Sequence, residues 1–230
     1  MKMMTQEKIE NRTLARDDVA DLARNCPGGV HLLECDLDEA ELAELDLAGW
    51  RFERCTLRRA EFSKTRLERT QWQSCRAPFA SFFNADLTDA VFQSCDLNNA
   101  NLRHARMTSL RFIGGKLTGA DLGDARIIDT HFEESLMAGA KLAGLDFRKQ
   151  RLSRVDFSQA DLRKSDFRDV TFEECSLRDA NLVGARFEKA DLRGADLGGL
   201  RLTDAALFRG ATISRAQAAQ LLAELGLKLG

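Results

Sequence analysis

The chain has 230 residues, of which 30% are charged, and its formal net charge is −2. This near-balance gives no basic excess for holding nucleic acid, and no apolar run approaches the length that spans a bilayer. Because the first residues, Met1 to Lys8, also lack the apolar segment of a signal peptide, we expect a cytoplasmic protein that binds neither membranes nor nucleic acid.

Residues 1–29 precede a long repeat and follow a different phase. Some of their apolar residues are five apart and would suit an atypical first turn of the repeat: Ile9, Leu14 and Val19. Alternatively, a short helix from Asp17 to Arg24 places its apolar residues on one face: Val19, Leu22 and Ala23. In either case we predict that residues 1–29 cap the N-terminal end of the repeat, because a stacked repeat has an open edge there.

From Leu32 to Leu207 every fifth residue is apolar. Of these 36 central positions, 20 are Leu and 11 are Phe. A helix would spread such a period around its whole circumference, and a long strand would send alternate members to opposite faces. A chain that turns a corner after every five residues instead points each central side chain at a common axis. The period therefore predicts short extended segments joined by tight turns.

A second set of regularly spaced residues indicates how many corners each coil has. Two residues before each central position the residue is usually small, and the same residue type returns after twenty positions: Ala40, Ala60, Ala80, Ala100 and Ala120, or Cys35, Cys55, Cys75 and Cys95. A superperiod of twenty means four groups of five per coil, with equivalent positions stacked above one another. The sequence therefore predicts a four-sided, all-β solenoid of about nine coils over residues 30–209, with coils about 4.8 Å apart.

Five of the six cysteines lie in this inward column of small residues, where a thiol packs as a small apolar group. Stacked coils bring several of them close together, but a reducing cytosol favours free thiols. We therefore predict buried free cysteines in the repeat. Cys26 lies outside the repeat and is the one thiol that we expect to be exposed.

Several five-residue segments carry a family resemblance. Segments such as Ala85-Asp86-Leu87-Thr88-Asp89 and Ala190-Asp191-Leu192-Arg193-Gly194 resemble the A-(D/N)-L-x-x unit of pentapeptide-repeat proteins, and the resemblance covers about three quarters of the chain. It implies a right-handed quadrilateral β-helix. The four-sided shape follows from the spacing, whereas the handedness comes from the family.

One coil departs from the pattern at Ala77, the one alanine among the central positions. Two aromatic residues close to it, Phe79 and Phe83, fall at outward positions. We favour a structure in which Phe79 folds back to fill the space beside Ala77, because underfilled cores are costly. Alternatively, Phe79 and Phe83 form an exposed apolar patch for a partner.

Residues 210–230 change to a helical pattern. Ser214 and Gln217 have capping-box spacing, apolar residues follow at helical intervals, and Gly226 is a stop signal. The helix either seals the last coil or joins two chains end to end across a two-fold axis. The segment resembles the C-terminal end of the quinolone-resistance (Qnr) and mycobacterial fluoroquinolone-resistance pentapeptide proteins, which dimerise there. This implies a homodimer whose interface contains Ile213, Ala218, Leu221, Leu222, Leu225 and Leu227.

No motif in the sequence supports catalysis. The three histidines, His31, His104 and His131, lie at outward positions in different coils, and none is paired with a Ser or Cys nucleophile. No Cys or His spacing is typical of a metal site. Asp before the central Leu recurs with the repeat and is expected to accept turn amides. We therefore expect a non-enzymatic protein with no catalytic residue, metal or cofactor.

The outer surface remains as the place where a protein partner would bind. One outward column, read at twenty-residue spacing, is mostly acidic: Glu41, Glu61, Asn101, Asp121, Asp161 and Asn181. Duplex DNA carries one negative charge per ~1.7 Å, so an acidic column on a rod would crudely imitate one strand.

The resemblance to the Qnr group implies a rod that mimics DNA and binds DNA gyrase or topoisomerase IV, protecting it from quinolones or a peptide toxin. The partner-binding surface would then contain Glu41, Glu61, Asp121 and Asp161. Two features depart from the Qnr pattern, namely the near-zero net charge and the absence of projecting loops. The alternative is a structural or adaptor protein that binds some other protein through the region of Phe79 and Phe83 or through the faces of mixed charge.

Overall fold

The computed structural model describes residues 6–198, 206–223 and 226–227. Within them the chain winds into a parallel β-solenoid of about ten turns with a short C-terminal helix. One side is a nine-stranded parallel sheet in chain order. Its strands are β1 (Glu7–Glu10), β2 (Val30–Leu33), β3 (Arg51–Glu53), β4 (Gln71–Gln73), β5 (Val91–Gln93), β6 (Arg111–Ile113), β7 (His131–Glu133), β8 (Arg151–Ser153) and β9 (Thr171–Glu173). The predicted all-β solenoid with a C-terminal helix is confirmed.

Residues twenty apart stack directly on one another, as Phe52 does on Trp72. We number the coils from residue 31, so that coil 1 comprises residues 31–50 and each later coil the next twenty. The four faces of coil 1, called faces 1 to 4, are centred on Leu32, Leu37, Leu42 and Leu47. Bridges between outward residues continue the ladder on faces 2 to 4, and β10 (Cys175–Ser176) pairs with β11 (Ala195–Asp196) on face 2. Each group of five residues therefore forms one face.

A residue in the left-handed conformation makes each corner from Glu34 to Lys189. Two positions after the central residue φ is positive, for example 60° at Glu39 and 55° at Arg59. The next amide then turns back, as Ala60 N does when it donates to Leu57 O at 3.1 Å. Polar residues reach this conformation at moderate cost because they stand in solvent, so the corner does not require glycine.

Inward side chains fill the solenoid as vertical stacks. The ring centroids of Phe52 and Trp72 are 3.9 Å apart, and those of Phe147 and Phe167 are 4.9 Å apart. The cysteines of the repeat are buried and free, which confirms that prediction, whereas Cys26 is half-buried and also free. Burial raises the pKa of the Cys175 thiol, which favours its neutral form.

Both alternatives for residues 1–29 are present together. Strand β1 adds to β2 in parallel, with Ile9 opposite Leu32, and helix α1 (Arg16–Asn25) follows it. The guanidinium of Arg16 donates to the carbonyl oxygens of Glu41 at 2.7 Å and Ala43 at 3.0 Å, where a preceding coil would otherwise bind. The N-terminal edge is thus covered by a partial coil and by a helix.

The C-terminal end is closed by helix α2 (Arg215–Ala223). The predicted capping box is confirmed, because Ser214 N donates to Gln217 Oε1 at 2.6 Å and Gln217 N donates to Ser214 Oγ at 3.2 Å. The Gln217 amide nitrogen also donates to the carbonyl oxygens of Leu192 and Ala195, at 2.7 and 2.6 Å. One buried side chain therefore joins the helix to the last coil. Neither α1 nor α2, the helices of the described residues, is long and apolar enough to cross a membrane.

The register differs from the prediction at its C-terminal end. Twenty-residue stacking continues to Asp196, which pairs with Ser176, but Asp191 then pairs with Thr212, one residue further along than the repeat requires. The ring that packs against Phe187 belongs to Phe208, at 4.8 Å, and not to the expected Leu207. The predicted central position Leu202 lies outside the described residues. The five-residue register of the repeat is therefore shifted by one residue before α2 begins.

Candidate protein-binding surface

The acidic residues that recur in the repeat have a structural task. Oδ1 of Asp121 accepts the amide of Gly123 at 3.0 Å, and Oδ1 of Asp161 accepts the amide of Arg163 at 3.2 Å. Each carboxylate thus binds an amide that its own tight corner leaves without a backbone partner. This confirms the expectation that Asp before the central residue satisfies turn amides. Its charge still faces outward and contributes to the surface.

The column of face 3 is less acidic than the sequence analysis suggested. Bridges place Ser81 between Glu61 and Asn101, and Lys141 between Asp121 and Asp161. Lys141 Nζ lies 3.1 Å from Asp121 Oδ2. The column is therefore interrupted, and a basic side chain occupies a position that a continuous mimic of a DNA strand would leave negative.

Arginine neutralises Asp161 from within its own turn. The Arg163 guanidinium donates to both carboxylate oxygens of Asp161, at 2.8 and 2.7 Å, and lowers the pKa of that carboxyl group. The same arrangement recurs wherever the C-terminal coils carry Asp and Arg two positions apart. The Asp-x-Arg spacing was visible in the sequence and could have identified these pairs.

The least neutralised acids lie at the N-terminal end. Residues 6–50 carry twelve acidic side chains and four basic ones. Some of these acids pair with cations of coil 2, as Lys64 does with Glu44 at 3.0 Å. Glu41 and Glu61, however, make no ion pair among the described residues. Of the four acids predicted for partner binding, these two are the ones that no cation of the described residues pairs with, whereas Asp121 and Asp161 are paired.

The aromatic pair of coil 3 faces solvent. Phe79 is 55% exposed and Phe83 is 36% exposed, so the favoured prediction that Phe79 fills the space beside Ala77 is wrong. Phe79 occupies the left-handed corner with φ of 61°, which turns its side chain outward. The space is taken by Trp72 and Phe82, whose rings meet across the core at 6.0 Å. The small side chain of Ala77 leaves room in the core for these two large rings.

Phe79 lies at the corner between faces 2 and 3, and Phe83 lies on face 3 beside its corner with face 4. We call these two exposed rings the aromatic patch. The ring of His104 meets that of Phe83 edge to face at 5.4 Å and extends the patch toward coil 4. On the other side the amides of Arg59 and Lys64 donate to the carbonyl oxygens of Pro78 and Phe83, at 3.0 and 2.9 Å. The patch is therefore bordered by coil 2, which carries a cation at each of these two corners.

Two family models match the chain. One describes a pentapeptide repeat region and matches residues 85–156, and the other describes pentapeptide repeats in eight copies and matches residues 35–70 and 171–207. The chain belongs to the pentapeptide-repeat family. A comparison with curated proteins finds no significant match.

Solved pentapeptide-repeat structures share the solenoid. HetL, involved in heterocyst differentiation regulation in the cyanobacterium Nostoc sp. strain PCC 7120, is 22% identical; the match covers 86% of this chain and 94% of HetL, with a TM-score of 0.72. A trypsin-treated variant of QnrB1, a plasmid-mediated fluoroquinolone resistance protein, is 21% identical, with 87% and 99% covered and a TM-score of 0.67. Full-length QnrB1 is 20% identical, with 96% and 100% covered and a TM-score of 0.51. These likenesses show a common fold.

The residues predicted for the dimer interface of this pentapeptide-repeat protein divide into two groups. Ile213 and Leu221 pack against the core and help to seal the last coil. Leu222 is half-buried, as is Ala218, and Leu227 is 53% exposed. Leu225 lies outside the described residues. The surface that the described part of the C-terminal end offers to a second chain is therefore made by Ala218, Leu222 and Leu227.

The histidines do not form a catalytic or metal-binding group in the described residues. Nε2 of His31 lies 3.1 Å from Glu53 Oε2, His104 packs against Phe83, and His131 lies beside Arg111 on face 1. Across the described ranges no group of three or more His, Cys, Asp or Glu side chains could hold a metal ion. The surface described above, with its acidic and aromatic parts, is the strongest candidate for function.

Proposed function

We propose that this pentapeptide-repeat protein is a non-enzymatic rod that binds DNA gyrase or topoisomerase IV in place of DNA. It would thereby protect the enzyme from quinolones or from a gyrase-targeting toxin. The observation that carries the proposal is the fold shared with QnrB1, a fluoroquinolone resistance protein, along 87% of this chain and 99% of the other. A reducing cytoplasm, where topoisomerases work, also suits the free buried cysteines.

The charges of the rod support this proposal unevenly. Glu41 and Glu61 stack on face 3 without an ion pair among the described residues, and they border the strongly acidic N-terminal end. Asp121 and Asp161 lie further along the same face, but Lys141 and Arg163 bind them. We therefore assign the main electrostatic contact with a basic DNA-binding surface to Glu41 and Glu61, and a weaker one to Asp121 and Asp161.

The alternative function is an adaptor that binds another protein through the aromatic patch of Phe79 and Phe83. The exposure of Phe79 and Phe83 favours it, because aromatic residues at the centre of an interface carry much of its binding energy. HetL, whose structure is also similar, is described as a regulator of differentiation. Binding through Phe79 and Phe83 would depend little on salt concentration, unlike binding through acidic residues.

A supercoiling assay tests the proposal. The purified protein is titrated into gyrase reactions with and without ciprofloxacin. We expect supercoiling to be restored in the presence of the drug at micromolar protein. The double variant Glu41→Lys/Glu61→Lys should lose this protection, whereas Phe79→Ala/Phe83→Ala should retain it. If the wild-type protein neither binds nor protects at micromolar concentration, the topoisomerase proposal fails and the adaptor function remains.

A further inference from the structure

Hydrogen bonding between coils is interrupted on face 4 between coils 5 and 6. On one side of this boundary Met107 N donates to Arg126 O at 2.9 Å, and on the other Phe147 N donates to Asp166 O at 2.9 Å. The equivalent bond from Ile127 N to Asp146 O is absent, although both residues lie in the described range 6–198. Four more ladder bonds are missing there: Asp124 N to Ala143 O, Asp129 N to Arg148 O, Asp146 N to Ala125 O and Arg151 N to Thr130 O.

The interruption continues around one corner and then ends. Strand β7 pairs with β8 at one position, Glu133 with Ser153, whereas β6 with β7 and β8 with β9 each pair at three. Faces 2 and 3 remain bonded between coils 5 and 6, since Leu117 N donates to Leu136 O at 2.7 Å and Leu122 N to Lys141 O at 2.9 Å. We call the unbonded boundary, residues 124–132 against residues 143–151, the seam.

The inward residues of face 4 differ in size across the seam. The inward residue that precedes face 4 changes from Ala125 in coil 5 to Leu145 in coil 6, and the central residue changes from Ile127 to Phe147. The inward residue that follows face 4 changes from Thr130 to Gln150. Leu145 and Phe147 are both buried, so their bulk is accommodated inside the solenoid. This change in size coincides with the loss of the ladder bonds. It is not sufficient for it, because Leu45, Leu47 and Trp50 of coil 1 stack on Thr65, Leu67 and Thr70 of coil 2 with the ladder intact.

An ion pair that recurs elsewhere on face 4 is also missing at the seam. Arg66 lies 2.7 Å from Asp46 and Arg106 lies 3.0 Å from Asp86, each across one coil boundary. Arg126 and Asp146 occupy the same stacked positions on either side of the seam, but Asp146 binds Arg148 through both oxygens, at 2.9 and 2.6 Å. Arg126 and Asp146, which carry opposite charges on the two sides of the seam, therefore form no ion pair with each other.

We propose that the rod is hinged at the seam. The chain up to residue 132 and the chain from residue 143 are two stiff blocks. They rotate about residues 133–142, which stay hydrogen-bonded to both blocks on faces 2 and 3, so that the seam on faces 4 and 1 opens and closes. Closure lets Arg126 reach Asp146 and lets the five missing backbone bonds form. The rod can then bend in one direction and follow the curved surface of a large partner.

Distances between spin labels on opposite faces test the hinge in the full chain with Cys26→Ser. One pair, Arg69→Cys/Asp169→Cys, crosses the seam on face 4. The matched pair, Arg59→Cys/Gln159→Cys, joins the same two coils on face 2. Five coils separate the labels in each case, which is about 24 Å along the axis. We expect a distance distribution at least twice as wide for the face 4 pair. Equal widths would overturn the proposal.

Amide hydrogen exchange provides a second readout on the unlabelled protein. The amides of Ile127 and Asp129 should exchange at least tenfold faster than the bonded amides of Met107 and Ser109 one coil earlier. The double variant Leu145→Ala/Gln150→Thr restores the small inward residues and should slow exchange at Ile127 and Asp129 to that of their counterparts. Similar rates in the wild-type protein would contradict the hinge. Because this comparison uses the wild-type chain, it decides the matter even if the double variant does not fold.

Discussion

The two ends of the solenoid present the same exposed backbone edge and cover it by different means. At the N-terminal end, strand β1 extends the sheet, and the exposed guanidinium of Arg16 binds two carbonyl oxygens of coil 1. At the C-terminal end the buried amide of Gln217 binds two carbonyl oxygens of the last coil. Both caps also extend the backbone ladder, but the side chain that binds the carbonyl oxygens is exposed at the first cap and buried at the second. We therefore expect the C-terminal end to be the more sensitive to single substitutions.

The largest expected effect concerns assembly, which we assign to the C-terminal end alone. Leu222→Glu/Leu227→Glu places two charges on the proposed interface, and burial of unpaired charge opposes association. Light scattering should show the wild-type protein as a dimer and this variant at the mass of one chain, 25.7 kDa. Asp17→Lys/Asp21→Lys on the exposed face of α1 should remain dimeric. A wild-type protein that is monomeric at all concentrations would refute the interface.

The next largest effect concerns the stability of the C-terminal cap. Gln217→Ala removes the amide that binds Leu192 O and Ala195 O and also breaks the capping box, so we expect a loss of about 2–3 kcal/mol in the free energy of unfolding. Urea titration followed by circular dichroism measures it. Gln220→Ala, on the exposed side of the same helix, is the matched control and should change stability by less than about 0.5 kcal/mol. Equal effects of the two substitutions would mean that Gln217 does not hold the end.

A smaller loss is expected from the N-terminal cap. Arg16→Ala frees the carbonyl oxygens of Glu41 and Ala43, but water reaches both because Arg16 is exposed. We expect a loss of about 1 kcal/mol. Arg24→Ala, which removes an exposed pair with Asp21 on the same helix, should cost less. If Arg16→Ala destabilised the protein more than Gln217→Ala, the contrast between the ends would be reversed.

The smallest effect is on acid stability. In the last described coil Arg193 binds both oxygens of Asp191 and lowers the pKa of that carboxyl group. Because the folded pKa lies below the unfolded value of about 4, this stabilisation is complete above pH 4 and is lost as the pH falls through the folded pKa. Arg193→Gln should therefore raise the midpoint of acid unfolding by a few tenths of a pH unit. Lys64→Gln, whose partner Glu44 lies in coil 1, should move it less.

The period of five was sufficient to predict the core, the four faces and the buried cysteines, because every coil repeats the same inward positions. Single departures from the period were harder to interpret. Nothing in the spacing indicated that the Trp72 and Phe82 rings meet across the core and leave Phe79 outside. Equally, the one-residue shift that stacks Phe208 on Phe187 occurs where the sequence still shows an apolar residue at the fifth position, Leu207.

The surface was predicted less well than the core because neighbours in space come from different coils. The prediction for face 3 considered the acidic and amide residues of the column and omitted Lys141, which stacks between Asp121 and Asp161. The seam was missed for a related reason. Leu145 and Gln150 each depart only slightly from the pattern, and their joint effect on face 4 depends on their being in the same coil as Phe147.

The most direct test of the proposed function is the affinity of the protein for purified DNA gyrase at 50 and at 300 mM salt. The account predicts micromolar or tighter binding that weakens at least tenfold at the higher salt concentration, and a similar loss at low salt for Glu41→Lys/Glu61→Lys. Binding that is independent of salt and of these two charges but is abolished by Phe79→Ala/Phe83→Ala would contradict DNA mimicry.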